Sequence, residues 1–495
     1  DTKTTNGLKT GKIKYLAAFD PDGRAAPVQV CGGRALFRAA APSLGYAVYR
    51  IAPVSGKSYE KLGNPFKIKG LCFENGLVRI SFDERTGALE SLYHTAGGRE
   101  ALDTAYDRFG NGLVVEEDAG NLWTVQKTGR VWRDRDFPAP EIRVAESGPV
   151  RLVLEVSGAH RGLHARRRTI LNANSPRVDF VTHIDFTGRD LRVKARFPAA
   201  GAARAVFETP FCATERGDGH HCAQNWVDME SDGCGLALFN SGNPGHDAHG
   251  SILDIVLMRS VSAFPARKIA RFVKNNLPEL RRSLGRAWRH TVQGLGVSLG
   301  EWDLYEFHGL MLREWSSAGP PPDSRGRINL LDHLRPLLDA DRPADCWERG
   351  AHAFRYAALP HSGGFADAAL PLHALSFNTP MPCAIVKKTT GELPARHSFL
   401  QTGGDPAVLL SALKLRETGG ALIARVYDAH GRGAHGKFTT ALPVKSPRPV
   451  SMVEQPAPGV PARGRSFTLD PWRIATYEMD MRRANATNSR TQTRD

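Results

Sequence analysis

Short apolar runs bounded by turn residues follow one another along this chain, with few helical patterns between them. GPVRLVLEVSG (148–158), RRRTILNAN (166–174), RVDFVTHIDF (177–186) and LRVKARFP (191–198) succeed each other in this way. Where apolar and polar residues alternate with period two, one set points into a core and the other away from it, which is the pattern of a strand. Strand after strand without intervening helices argues for an all-β sandwich. ENGLVRISFDERTGALESLYHTAGGREAL (74–102) adds a hairpin that turns at Arg85-Thr86-Gly87. The stretch Phe207 to Val261 organises the series. It reads as a strand, a polar loop bearing His and Cys, and two strands, GLALFN and SILDIVLMRS, around the turn SGNPGHD.

The 495 residues suffice for about two to four domains. Residues 1–60 read as a small β module with a turn at Asp20-Pro21-Asp22-Gly23, and the polar stretch SGKSYEKLGNP (55–65) reads as a linker. A large sandwich spans 66–400, a C-terminal β module 401–482, and a disordered tail 483–495. ARKIARFVKNNLPELRRSLGRAWRH (266–290) has helical spacing broken at Pro278, so the expectation is one helical insertion over 265–345.

The formal charge is +15, with basic clusters at Arg166-Arg167-Arg168 and between Arg267 and Arg289. No nucleic-acid motif accompanies them, and scattered positive charge is the ordinary state of a solvated surface, so nucleic acid is not expected as a partner. No apolar run approaches the ~18–20 residues that span a bilayer, so no membrane partner is expected either. Seven cysteines (31, 72, 212, 222, 234, 346, 383) form no C-x-x-C pair and number an odd count. That favours reduced thiols over a disulfide framework. A lone sequon, Asn485-Ala486-Thr487, carries little weight.

The stretch FETPFCATERGDGHHCAQNWVDMESDGCGLALFN, the later phrase GAHAFRYAALPHSGGF (350–365) and Gly98-Arg99-Glu100 carry a resemblance. In order along the chain they are similar to the C-terminal β region of the glycoside hydrolase family 38 α-mannosidases. The resemblance covers roughly residues 10 to 482 apart from the insertion. It implies a large antiparallel β super-sandwich of the galactose-mutarotase-like kind, flanked by smaller β-sandwich modules. It also implies the non-catalytic C-terminal portion of a retaining α-mannosidase acting on mannose-containing glycans. In that family the catalytic carboxylates and a zinc ion lie in an N-terminal barrel, to which nothing in this chain corresponds. No catalytic residue, metal ligand or cofactor is therefore assigned to this chain. Zinc and its ligands are expected in the barrel, which is the expected partner.

If this region reaches the sugar pocket, the resemblance points to Glu208, Arg216, Trp226 and Asp228. Arg could donate paired hydrogen bonds, and Trp could offer a flat apolar face. The alternative is that Glu208 pairs with Arg216 and Trp226 fills the core. His183 and Asp185 copy a His-x-Asp zinc spacing, but two isolated ligands do not make a zinc site. Cys212, His220, His221, Cys222 and Cys234 fit no standard spacing. Two other functions stay open. One is a free-standing carbohydrate-binding or scaffold module with exposed Trp123, Trp132 and Trp226; the other is a basic interaction protein acting through the 267–289 helix. Linkage preference, compartment and oligomeric state, a homo-oligomer included, do not follow from the sequence.

Overall fold

The computed structural model describes residues 15–104, 109–118, 125, 127–261, 347–387, 391–456 and 458–481. The expected helix at 266–290, the insertion to 345, the tail from 483 and Trp123 lie outside the described residues.

The described chain is predominantly strand, and its centre is a two-layer antiparallel sandwich. One layer has nine strands, in the spatial order 141–147, 151–160, 163–172, 178–186, 350–362, 234–240, 226–231, 204–209 and 212–216. The other has six: 127–133, 112–118, 191–198, 252–260, 245–249 and 219–222. Alternation builds the core between them. In Val178–Phe186 the residues Val178, Phe180, Thr182, Ile184 and Phe186 are buried, while Asp179, Val181, His183 and Asp185 face outward. Phe180 stacks on Tyr356 at 5.3 Å and meets Phe197 of the opposite layer at 5.5 Å. The Tyr356 hydroxyl donates to Asn111 Oδ1 at 2.6 Å, so the one polar atom in this aromatic group is satisfied.

The expected hairpin at 74–102 is present, with Val78–Phe82 paired antiparallel to Leu89–His94 inside a five-stranded sheet. Its turn is fixed by Asp83, whose Oδ1 accepts from the Thr86 amide at 2.7 Å. This sheet adds Phe73, Val78, Ile80, Phe82, Leu89 and Leu92 to the sandwich core. A second core lies between a four-stranded and a three-stranded sheet over 400–479, around Phe438, Phe467 and Tyr477. The N-terminal strands tie to the far part of the chain, because Gly45–Ala47 pairs antiparallel with Arg396–Ser398.

Three elements depart from the sequence reading. The stretch 55–65 holds a short helix, α1 (Gly56–Glu60), whose N-cap Ser55 accepts from the Ser58 amide. The polar loop after Phe207 is two strands, Cys212–Arg216 and Gly219–Cys222, at the edges of different sheets. Edge strands with exposed flanks lack the buried period-two pattern, which is why they read as loop. A helix, α2 (Leu370–Asn378), starts with Pro371 in its first turn and buries Leu370, Pro371, Ala374 and Phe377.

The six-stranded layer buries an ionic network on the face turned away from the nine-stranded one. Lys194, 0% exposed, donates to Glu116 Oε1 at 2.6 Å and Asp247 Oδ2 at 3.1 Å, and lies 3.0 Å from Asp254 Oδ2. Arg196 grips Asp254 with two bonds of 2.8 Å, and Arg192 bonds Asp247 at 2.7 Å. Burial alone pushes the Asp254 carboxyl up, but the Arg196 bonds and the Lys194 charge override it, leaving the group below its ordinary value. Removing one member of such a network leaves uncompensated buried charge. Lys194→Met is therefore expected to cost about 3–5 kcal/mol, read from the urea-unfolding midpoint.

His246 is fully enclosed, and burial pushes its imidazole down to about 4. The unfolded chain, with an ordinary imidazole, takes up this proton first as pH falls, so stability drops between about pH 6.5 and pH 4. His246→Gln should remove about 3 kcal/mol of that pH dependence, measured as the change in unfolding free energy between pH 7 and pH 4.

Candidate functional site

The organising stretch contributes four strands to one end of the nine-stranded sheet, and three of them, 204–209, 226–231 and 234–240, bury both faces. In Trp226–Ser231, Val227 and Met229 point into the sandwich core, while Trp226, Asp228 and Glu230 point outward. The outward face is not bare. Val206, Trp226, Ala237, Phe239, Ala357 and Leu359 form a separate apolar cluster with Leu370, Ala374 and Phe377 of α2. The chain between the strand Gly350–Ser362 and α2 closes this cluster as a short strap, residues 363–369.

Four polar residues share the covered face. Asp228 Oδ1 bonds His361 Nε2 at 2.8 Å. Register places these side chains together across Gly235, which pairs with both His361 and Glu230 in its neighbouring strands. A Cβ on Gly235 would come 2.6 Å from the His361 ring and 2.7 Å from Asp228 Oδ1, so this position has room for glycine alone. Burial pushes the Asp228 carboxyl up to about 6, against the pull of His361. Glu230 accepts from the Phe365 amide and from Arg204 Nε, each at 2.8 Å. Glu208 is a hub of another kind. Its Oε2 accepts the Asn225 amide at 2.6 Å, and Asn225 Oδ1 accepts from Asn378 at the end of α2. Burial raises the Glu208 carboxyl above its ordinary value, and the Asn225 bonds work against that.

Aromatic rings carry the face across to the C-terminal sandwich. Trp226 stacks on Phe365 at 5.3 Å, and Phe365 lies nearly parallel to Trp472 at 6.4 Å. Phe211 meets Tyr427 edge-on at 5.2 Å.

Of the four residues expected at a pocket edge, the structure thus buries Trp226 and Asp228, half-buries Glu208 and exposes Arg216. The reading of Trp226 as an exposed sugar platform is corrected: its ring is in the apolar cluster, covered by Phe365. Pairing of Glu208 with Arg216 is corrected as well. In the hairpin register Glu208 faces Ala213 and Arg216 faces Ala205, and Glu208 is held by Asn225. Trp132 lies under Arg161, whose guanidinium carbon is 3.9 Å from the ring centre.

The two metal-like sequence patterns fare differently. His183 sits opposite Arg166 on the outward face of the nine-stranded sheet, and burial followed by the charges of Arg166 and Arg168 lowers its affinity for a proton. Such surroundings oppose a cation. Cys212 and Cys234 lie in the nine-stranded sheet and His220, His221 and Cys222 in the six-stranded one. Among the described residues no three His, Cys, Asp or Glu side chains gather as metal ligands.

Comparison with known proteins settles the family. Residues 73–266 match the glycosyl hydrolases family 38 C-terminal domain, and residues 407–477 match the family 38 C-terminal beta sandwich domain, together more than half of the chain. The chain belongs to glycosyl hydrolase family 38. Human alpha-mannosidase 2C1 is 23% identical over 453 residues, covering 86% of this chain and 35% of that protein. Alpha-mannosidase G of Dictyostelium discoideum is 20% identical over 379 residues, covering 72% and 27%. An alpha-mannosidase from Enterococcus faecalis V583 shares the fold with a TM-score of 0.66 at 13% identity, over 94% of this chain and 51% of that one. The chain thus spans about a third of the length of the curated relatives it matches, and the matched domains are C-terminal ones.

The sequence patterns single out none of His361, Glu230, Arg204, Phe365 and Trp472 as partners in this site. The alternation in GAHAFRYAALPHS places His361 on one face with Ala357 and Leu359, but its partner is 133 residues away and depends on strand order. Gly235→Ala is expected to destabilise the fold by about 1–3 kcal/mol through overpacking between Asp228 and His361, read by chemical denaturation.

Proposed function

We propose that this chain is the non-catalytic C-terminal portion of a retaining α-mannosidase. On this reading it buttresses a catalytic barrel and presents the edge around Arg216 toward a mannose-containing glycan. The observation that carries the reading is the pair of family 38 C-terminal matches, in order and on a fold shared with an α-mannosidase. The chemistry needs a carboxylate nucleophile and a second carboxyl group about 5–5.5 Å away, both reachable by substrate. Asp228 and Glu230 are buried and committed to His361, Arg204 and the Phe365 amide, so they serve structure. The nucleophile and the zinc ligands then belong to the barrel. Arg216 is exposed at the end of an edge strand, and among the described residues no ion pair holds its side chain. It is free to meet a hydroxyl or to fix a carboxylate of the barrel.

The reading of a free-standing carbohydrate-binding module loses its main support with Trp226 buried and Trp132 covered by Arg161. The purified 495-residue chain is expected to leave an aryl α-mannoside intact with or without added zinc. Zinc-dependent turnover that a chelator abolishes would overturn the proposal. In a barrel-containing homologue, Ala at the position of Arg216 should lower kcat/KM by about 10–100-fold, the worth of one charged hydrogen bond, at unchanged Tm. Lost stability with normal kinetics in the folded fraction would assign the residue to structure.

A further inference from the structure

Asp228 and His361 form a carboxylate–imidazole pair sealed against solvent, with exposures of 0% and 6%. One 2.8 Å bond joins them, and the remaining polar atoms, Asp228 Oδ2 and His361 Nδ1, have no partner. Two residues on from Asp228, on the same face, Glu230 brings a second carboxylate, neutralised from the next strand by Arg204. With His361 charged, two anions face two cations. With His361 neutral, two buried carboxylates share one guanidinium whose side chain is 53% exposed. The surplus charge is then in a place where desolvation is costly. His94 at the end of the strand Leu89–His94 and His373 on α2 also face the pair. Burial holds both below the ordinary value, and the His361 charge adds to this, so neither competes for the proton near neutrality. Arg99 reaches the same corner, donating to Ser231 Oγ at 3.5 Å.

The cluster lies under the strap 363–369. Gly363 leaves the strand with φ +76, and the amide of Phe365 is anchored on Glu230. The Phe365 ring bridges Trp226 and Trp472, and Asp367 bonds Arg432 of the C-terminal sandwich at 2.6 Å. Whatever changes the charge around Glu230 therefore acts on the anchor of the strap.

We propose that the strap 363–369 is a proton-dependent latch, closed while His361 is charged and loosened, together with the C-terminal loops it holds, when His361 loses its proton. The direction follows from the folded-state proton affinities. Burial raises Asp228 to about 6; for His361, burial alone would lower the value, and the Asp228 bond and charge more than reverse it. Groups that hold protons more tightly when folded stabilise at low pH and lose that contribution as pH rises through their folded values. The latch is tightest at mildly acidic pH and loosens from neutrality upward.

Amide hydrogen exchange of the full chain at pH 6.0 and 8.5, corrected for intrinsic rates, tests this. Protection of 363–369 and 430–433 should fall by about threefold or more at the higher pH, while strands 151–186 keep theirs. His361→Gln should abolish the difference and His373→Gln should keep it. Equal protection at both pH values in the unaltered chain, or the same fall in His361→Gln, overturns the proposal. Should His361→Gln not fold, Asp228→Asn, nearly isosteric and unable to ionise, serves in its place: it should abolish the difference, and an undiminished one overturns the latch.

Discussion

Burial of both faces of four neighbouring strands is the constraint on which the rest of this molecule depends. The strands 204–209, 226–231, 234–240 and 350–362 fill the sandwich core with one set of side chains and a second apolar cluster with the other. A strand covered on both sides has no face on which a polar group can be left to water. The carboxylates there each find a partner at one atom or more: Glu208 takes Asn225, Glu230 takes Arg204 and the Phe365 amide, Asp228 takes His361, while Asp228 Oδ2, His361 Nδ1 and Trp226 Nε1 have none. The helix α2, the strap and the seat of the C-terminal sandwich exist to supply the second cover. Gly235 follows from the same constraint, since a residue between Asp228 and His361 on a doubly covered sheet has no space for a side chain.

The same principle explains why the charge pattern of one strand misleads. Arg192, Lys194 and Arg196 alternate with apolar residues along one strand, as they would on a solvated face. Arg192 and Lys194 are instead buried, and Arg196 half-buried, against Glu116, Asp247 and Asp254. Arg167 is enclosed too, paired with Asp134 and bonded to the carbonyl oxygens of Thr86 and Asn111. These cations are matched by buried carboxylates, and the buried charged side chains are mostly acidic, so the formal +15 is carried by the surface.

Local alternation was enough to read strands such as 178–186 and the hairpin at 74–102, because one face of each is apolar and the period is short. It placed Trp226, Asp228 and Glu230 on a common face but carried no information that the face is covered. Covering depends on α2, a helix whose exposed Leu372 and Leu375 blur its amphipathic pattern. Edge strands were lost for a related reason: with one hydrogen-bonded neighbour and little burial, Cys212–Arg216 and Gly219–Cys222 have no pattern to show. The pairing of Asp228 with His361 is a property of strand order and register, which a single sequence does not display.

These distinctions decide what the organising stretch can do under the proposed function. A group that handles substrate must be reachable, and a group that sustains the fold must be satisfied; the two demands separate the four residues cleanly. Trp226, Asp228 and Glu208 are turned toward α2, the strap and the C-terminal sandwich, and their bonds and stacking are internal. Arg216 closes the edge strand Cys212–Arg216, where the backbone has a neighbour on one side and the guanidinium is in solvent. The rigid part of the stretch thus ends where its one uncommitted cation begins. Doubly covered strands hold that edge in position, as the proposed role beside a pocket formed elsewhere requires.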